Sequence, residues 1–316
     1  MGHFILKRLI TLVATLAATS ALVFVVLEVL PGNAAQVLLG PDASPEAVAA
    51  LTRQLGLDQD ALTRYGLWIA GLLRADLGHS HAYGVPVSDL IAQRLAVTIP
   101  LAVLAMALTT VLALGAGVYA ASRHQRLGDV GVMGLSQLGI AIPNFWFAIL
   151  LILLYAVHLK WFAAGGFPGW SEGVGAGLQA LMLPALSLAV VQAAILARFT
   201  RSAVLEVLRE DFVRTARAKG VPPRGVLWRH VLRNALIPVV TVMGMQFAEL
   251  LAGTIVVESV FYLPGLGRLI FQAIANRDLV VVRNGVMLLA AMVVIVNFVV
   301  DVTYAAIDPR LRSARR

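Results

Sequence analysis

The stretch 211–238, DFVRTARAKGVPPRGVLWRHVLRNALIP, decides how the rest of the chain is read. It is basic and helix-forming, yet long apolar runs flank it. Arg198, Arg201, Arg209, Arg214, Arg217, Lys219, Arg224, Arg229 and Arg233 supply nine of the chain's 25 Lys and Arg. Val204, Leu205, Leu208, Phe212, Val213 and Ala216 recur at helical spacing. Lys219 followed by Gly220 is a helix-end signal, and Pro222-Pro223 enforces the stop. A second periodic stretch, Val226, Leu227, Val231 and Ala235, runs up to Pro238. A helix–Gly–helix with an apolar stripe and a cationic rim reads as a docking surface for a soluble partner.

The surrounding composition sets the solvent. The chain is 59% hydrophobic and only 13% charged, unlike a water-soluble domain. Crossing a hydrocarbon core of about 30 Å takes roughly 20 apolar residues. Six runs qualify: Leu9–Leu30, Ile99–Ala121, Val132–Val157, Leu178–Ala197, Ile237–Val257 and Gly285–Ala306. Backbone groups left unpaired in lipid are too costly, so an all-α membrane protein with six transmembrane helices is expected. The alternating runs of a β-barrel are missing. The chain has no cysteine, which excludes disulfides and thiolate metal sites.

Charge placement gives the orientation. Lys7 and Arg8 precede the first span, and Arg123 and Arg126 follow the second. The nine cations above follow the fourth, and Arg310, Arg312, Arg315 and Arg316 close the chain. The positive-inside rule makes that side cytoplasmic, with both termini on it. The opposite side carries Asp42, Glu46, Asp58, Asp60, Asp76 and Asp89 against Arg53, Arg64, Arg74 and Arg94. The net charge of +8 reflects this topology and anionic lipid, and is poor evidence for nucleic-acid binding. The first apolar run is longer than a usual signal-peptide core and is expected to be retained.

The chain divides into a first segment and span (1–30), a polar extracytoplasmic insertion (31–98), a transmembrane core (99–306) containing the basic loop 198–236, and a basic tail (307–316). Within the insertion, Ser44 as N-cap, Pro45 at the first helical position and Gly56 at the end frame an amphipathic helix. In ESVFYLPGLGRLIFQAIANRD, Pro264, Gly265 and Gly267 mark a turn. Leu269, Ile270, Ala273 and Ile274 then suggest a short helix, either a connection folded over the protein or a gating element. Pro143 and Pro184 are expected to kink their spans.

Chemistry-bearing residues are few. No Gly-Lys pair exists, so the chain cannot supply a P-loop; H-E-x-x-H and G-x-S-x-G are absent too. Nothing argues for an enzyme. Glu249, near the middle of the fifth span, either lines a polar path or is protonated or paired between helices. Glu28 and Asp301 sit near span ends and read as interfacial. His79 and His81, in GHSHAYG, are weak metal-ligand candidates; no metal site is expected.

The stretch EDFVRTARAKGV…HVLRNALIPVVTVMG resembles the cytoplasmic loop of binding-protein-dependent ABC-importer permeases, in the dipeptide/oligopeptide/nickel branch. The resemblance extends along nearly the whole chain: MGHFILKRLI with VLPGN, LGLDQDALTRYGLW, DLGHS, IPNFW, FYLPGLGRL and DPRLR. It departs at Pro31-Gly32-Asn33, where Pro-Gly-Asp is usual, and at Asp58-Gln59-Asp60, where Asp-Gln-Pro is usual. The family's Glu-Ala-Ala is Thr215-Ala216-Arg217, with the motif glycine at Gly220.

The resemblance implies a type I importer permease fold in a bacterial inner membrane. It also implies a second, similar permease, two cytoplasmic ATPase subunits carrying ATP and Mg, and an extracytoplasmic substrate-binding protein. This chain itself would hold no cofactor. Asp211, Phe212, Thr215, Ala216, Arg217, Ala218, Lys219 and Gly220 would form the coupling helix in a groove of an ATPase. Glu249, Pro264 and Gly265 are candidates for the translocation path. The implied cargo is a di- or oligopeptide, glutathione-type peptides included, with nickel or a nickel chelate as the alternative. An ATP-independent channel or a secondary transporter is the competing class; no inverted repeat that the latter needs is visible.

Overall fold

Each long apolar run closes its own backbone hydrogen bonds as a helix, as hydrocarbon demands. The computed structural model describes residues 2–29, 34–40, 42–54 and 56–307. Among these residues no strand occurs, and an isolated bridge pairs His79 with Pro86. Five helices are long and apolar enough to span a membrane, or six when a sharply bent pair is counted as one span. The all-helical class and the count therefore agree with the sequence.

The first spanning helix, α1 (Gly2–Val29), precedes a three-helix insertion: α2 (Ala34–Leu39), α3 (Pro45–Gln54) and α4 (Ala61–Leu73). Helix α3 begins as its sequence dictates, with Ala47 N donating to Ser44 Oγ at 3.2 Å. It ends in a left-handed Gly56 with φ of 65°. Helix α4 is capped by Asp60, whose carboxylate accepts from Thr63 N and the Thr63 hydroxyl. Those bonds, the hydroxyl's first, hold the Asp60 carboxyl below the usual carboxylate range.

Helix α5 (Val87–Ser122) starts inside the segment assigned to the insertion and runs 36 residues. At 1.5 Å per residue that is about 54 Å, well beyond the hydrocarbon core. After it come α6 (Leu127–Ala141) and α7 (Asn144–Leu151), the latter continuing as a π-type turn, Ile152–His158. The expectation of one kinked span over Val132–Val157 needs correction here: the two halves meet at 103°. Ile142 precedes Pro143 and is extended (φ −89°, ψ 124°), and Pro143 becomes the N-cap of a new helix. Pro184, by contrast, lies inside the continuous α8 (Val174–Val207).

Helix α9 (Asp211–Ala218) follows a turn. Then α10 (Pro223–Gly225) passes through a π-type stretch, Val226–Val231, into α11 (Leu232–Val260). Pro238 does not end this helix. The chain closes with α12 (Leu266–Ala275) and α13 (Leu279–Ile307). Helices α5, α8 and α11 make the centre, where Leu101, Leu181, Leu188, Leu250 and Phe261 are essentially inaccessible. Backbones approach closely there: a Cβ on Gly117 would lie 2.7 Å from Ala197 O. Arg8 Nη1 lies 3.0 Å from Asp301 Oδ2, which ties the start of α1 to the end of α13.

Candidate functional site

The basic segment is not one continuous helix. Val204 and Val213 are both fully buried and belong to one apolar cluster. Nine residues apart on a straight helix, they would point about 180° away from each other. The turn at Leu208–Glu210, with Glu210 extended, brings both inward. Helix α9 is thus a separate unit seated by two side chains, Val213 and Ala216, against Val118, Ala121, Val226, Val231 and Ala235.

The other six residues of α9 face outward: Asp211, Phe212, Arg214, Thr215, Arg217 and Ala218. Phe212 is 43% exposed, a large apolar group offered to solvent beside cations. Lys219 and Gly220 are exposed too. The helix ends in a Schellman motif: Val221 N donates to Ala216 O at 3.2 Å and Gly220 N to Arg217 O at 3.0 Å. Gly220 adopts φ of 79°, the left-handed conformation this cap needs. A cleft of about 480 Å³ in the elbow between α8 and α9 is lined by Ser202, Leu205, Glu206, Arg209, Glu210 and Asp211.

Next to this unit, Arg201 grips Asp129 with both arms of its fork, Nε to Oδ1 at 2.5 Å and Nη2 to Oδ2 at 2.7 Å. Gln125 N also donates to Oδ2 at 2.9 Å, and His124 Nδ1 lies 3.3 Å from it. Asp129 is almost fully buried, so a bidentate cation and a backbone donor replace its lost water. The pair joins the first turn of α6 to α8. In the sequence Arg201 is one cation among nine, and no local signal marks Asp129, 72 residues away, as its partner.

Helix α11 carries the remaining candidates. Its first turns and the π-type stretch before it hold α9, through Ala235 and Val231. Halfway along, Glu249 is exposed on the chain's surface, while Gln246 and Gln192 beside it are buried. Gln246 Nε2 donates to Gln192 Oε1 at 2.9 Å, and Gln192 Nε2 donates to Glu249 Oε2 at 3.3 Å. This relay of amides joins α8 to α11 and ends on a carboxylate.

At its far end α11 carries Glu258, which is fully buried and is not among the candidates named from sequence. Glu258 Oε1 accepts from Thr98 Oγ1 at 2.5 Å, and Oε2 from Gly267 N at 2.8 Å. Thr98 Oγ1 accepts in turn from Leu266 N at 2.9 Å. Two other helices thereby satisfy the free N–H groups that open α12. A Cβ on Gly265 would lie 2.1 Å from the Glu258 carboxyl carbon, so the turn at Pro264-Gly265 closes against this acid. Helix α12 is packed into the protein, with Leu266, Leu269, Ile270 and Ala273 buried. The signal for Glu258 was present: an acidic residue ending an apolar run.

His79 and His81 are exposed on a tight turn whose Ser80 is buried. Ser80 Oγ and Ala82 N both donate to Asp278 Oδ2, at 2.5 and 3.1 Å, docking this turn onto the segment between α12 and α13. Among the described residues no three His, Cys, Asp or Glu side chains are grouped to hold a metal ion.

This architecture has relatives. Residues 113–313 match the family described as binding-protein-dependent transport system inner membrane component, and residues 1–102 match its N-terminal companion. A protein of Brucella abortus (strain 2308), named as a peptide transport system permease, is 43% identical over 99% of both chains. The glutathione transport system permease protein GsiC of Escherichia coli (strain K12) is 40% identical, again over 99% of each. Among solved structures, the inward-facing MetNI methionine ABC transporter contains a chain that superposes with a TM-score of 0.59 at 18% identity. That match covers 69% of this chain and 96% of the other, a likeness of fold alone. The chain is a multi-pass inner-membrane permease and belongs to the binding-protein-dependent transport system inner membrane component family.

Proposed function

We propose that this chain is one of two permease subunits in an ATP-driven importer of short peptides, with α9 as the coupling helix. The observation that carries the reading is the mounting of α9. Two buried side chains fix it to the ends of α5, α8 and the α10–α11 unit, and Phe212 with its cationic neighbours faces out. A helix held in this way transmits a push to the spans instead of yielding locally. The chain has no P-loop, so the push must come from partner ATPases, for which ATP and Mg are the cofactors. The basic segment then lies in the cytoplasm, with both termini on that side. The insertion 31–98 faces a substrate-loaded binding protein.

Helix α11 links the two ends of this mechanism. It starts in the cluster under α9, carries Glu249 about 25 Å further along, and ends at the Glu258 knot. Glu249 is the lining residue proposed for the translocation path, because it is exposed at mid-span and tethered by Gln192. Pro264 and Gly265 act on the path indirectly, by setting α12 against α11. The peptide cargo rests on relatives at 40–43% identity, one named for peptides and one for glutathione. Uptake of a labelled dipeptide and of glutathione into proteoliposomes containing this chain, its partner permease, ATPases and binding protein is the test. Uptake that persists without ATP or the ATPases would overturn the importer reading; ATP-dependent uptake of nickel alone would overturn the cargo.

A further inference from the structure

A cavity of about 420 Å³ lies where the last turns of α1, helix α4 and the first turn of α13 meet. It adjoins the ends of two candidate spans, Phe4–Val29 and Leu279–Thr303. Two guanidinium groups line it. Arg64 is neutralised by Glu28 and also donates to Gln59 O at 3.1 Å. Arg283 is different. Its Nε is shielded from solvent without a hydrogen-bond partner, and among the described residues no carboxylate pairs with it. Asp76, in the same cavity, already accepts from Gly78 N at 2.9 Å.

Arg283 is nonetheless held in place. Its guanidinium carbon lies 5.6 Å from the ring centroid of Trp68. Trp68 is fixed by Nε1 donating to Asn284 Oδ1 at 2.9 Å and by stacking on Phe24, 6.3 Å between centroids. A pre-oriented cation that lacks an anion, in a partly apolar cavity, is costly for a folded protein to keep without use. Phe24, Leu27 and Leu67 give the cavity an apolar wall. Leu22, Val25, Val26 and Val29 of α1, all more than half or about half exposed, continue apolar surface along the same helix. A charged head with an apolar tail fits this arrangement, and a bare ion or a zwitterionic peptide uses only part of it.

We propose that this cavity binds the phosphate of a phospholipid headgroup through Arg283, with the acyl chains running along α1. The planar guanidinium matches the phosphate oxygens with two parallel hydrogen bonds. The site is independent of the cargo carried.

The test uses the purified full-length chain in detergent, stripped of lipid and then exposed to dioleoylphosphatidylglycerol or to dioleoylglycerol, which has the same chains and no phosphate. Bound lipid is counted by native mass spectrometry. Retention of the phospholipid about tenfold or more above the diacylglycerol supports the site, as does its loss in Arg283→Gln with partial retention in Arg283→Lys and full retention in Arg53→Gln. Equal retention of the two lipids overturns it. Displacement of the phospholipid by millimolar inorganic phosphate identifies a free-anion site instead, and displacement by dialanine a peptide-carboxylate site; either overturns the lipid assignment. Equal retention of the two lipids by the unmutated chain overturns the site even where Arg283→Gln does not fold, and Arg283→Lys, which keeps the charge and loses the planar fork, then carries the assignment to this residue.

Discussion

Glu258 and Thr98 stand 160 residues apart in the chain, yet Thr98 Oγ1 donates to Glu258 Oε1 at 2.5 Å inside the bundle. Thr98 also accepts from Leu266 N, so one hydroxyl joins α5, α11 and α12. Thr98→Val keeps the volume and removes both bonds, leaving a buried carboxyl oxygen and a buried N–H without partners. The expected loss is about 1–3 kcal/mol in denaturant unfolding of the detergent-solubilised protein. Thr98→Ser should retain most of the stability. A neutral Thr98→Val would mean that the knot contributes nothing.

Gly220 permits a different, purely backbone test. A Cβ there meets nothing within 4 Å, but φ is 79°. Gly220→Ala is therefore expected to destabilise the end of α9 by about 1–2 kcal/mol, while Gly220→Asn, which tolerates the left-handed region, costs less. Gly220→Asp should insert in the membrane, co-purify less ATPase and abolish uptake. Undiminished uptake in Gly220→Asp would count against α9 as the coupling helix.

Buried Asp129 and half-buried Arg201 form an ion pair whose single and double variants separate desolvation from attraction. Arg201→Met leaves the buried carboxylate with only Gln125 N and His124 beside it and is expected to cost about 1–3 kcal/mol. Combining it with Asp129→Asn should recover much of that loss, since the unpaired charge is gone. A double-mutant cycle on unfolding free energies checks this; additive losses would show that the two side chains do not interact.

Glu249→Leu replaces the exposed mid-span carboxylate by an apolar group of similar size. Peptide uptake is expected to fall roughly tenfold or more, because a polar lining group in the low-dielectric span has gone. Assembly with the ATPases, followed by co-purification, should stay intact. Glu249→Gln, still able to bond Gln192, should transport better than the leucine variant. Equal uptake in all three proteins would remove Glu249 from the path.

Much of this fold was legible because lipid leaves so few choices. Periodicity and length located the spans, and Ser44, Pro45 and Gly56 framed α3 as their chemistry requires. Gly220 announced the end of α9 for the same reason: a left-handed cap is a local demand. Span 3 is broken at Pro143 instead of gently kinked, because a proline permits either outcome and local propensity does not choose between them. Pro184 and Pro238, inside unbroken helices, show the other outcome of the same ambiguity.

The basic stretch 211–238 by itself determined that a capped, cationic helix interrupts a lipid-embedded chain lacking a nucleotide site. Only the tertiary structure decided which face of that helix is anchored: Val213 and Val204 share one cluster because a turn reorients the helix between them. The same holds for Glu258 with Thr98, Asp129 with Arg201, and Arg283 with Trp68. Capping and apolar periodicity are local, so a short window of sequence carries them. A buried charge finds its partner across tens or hundreds of residues, and packing alone selects that partner.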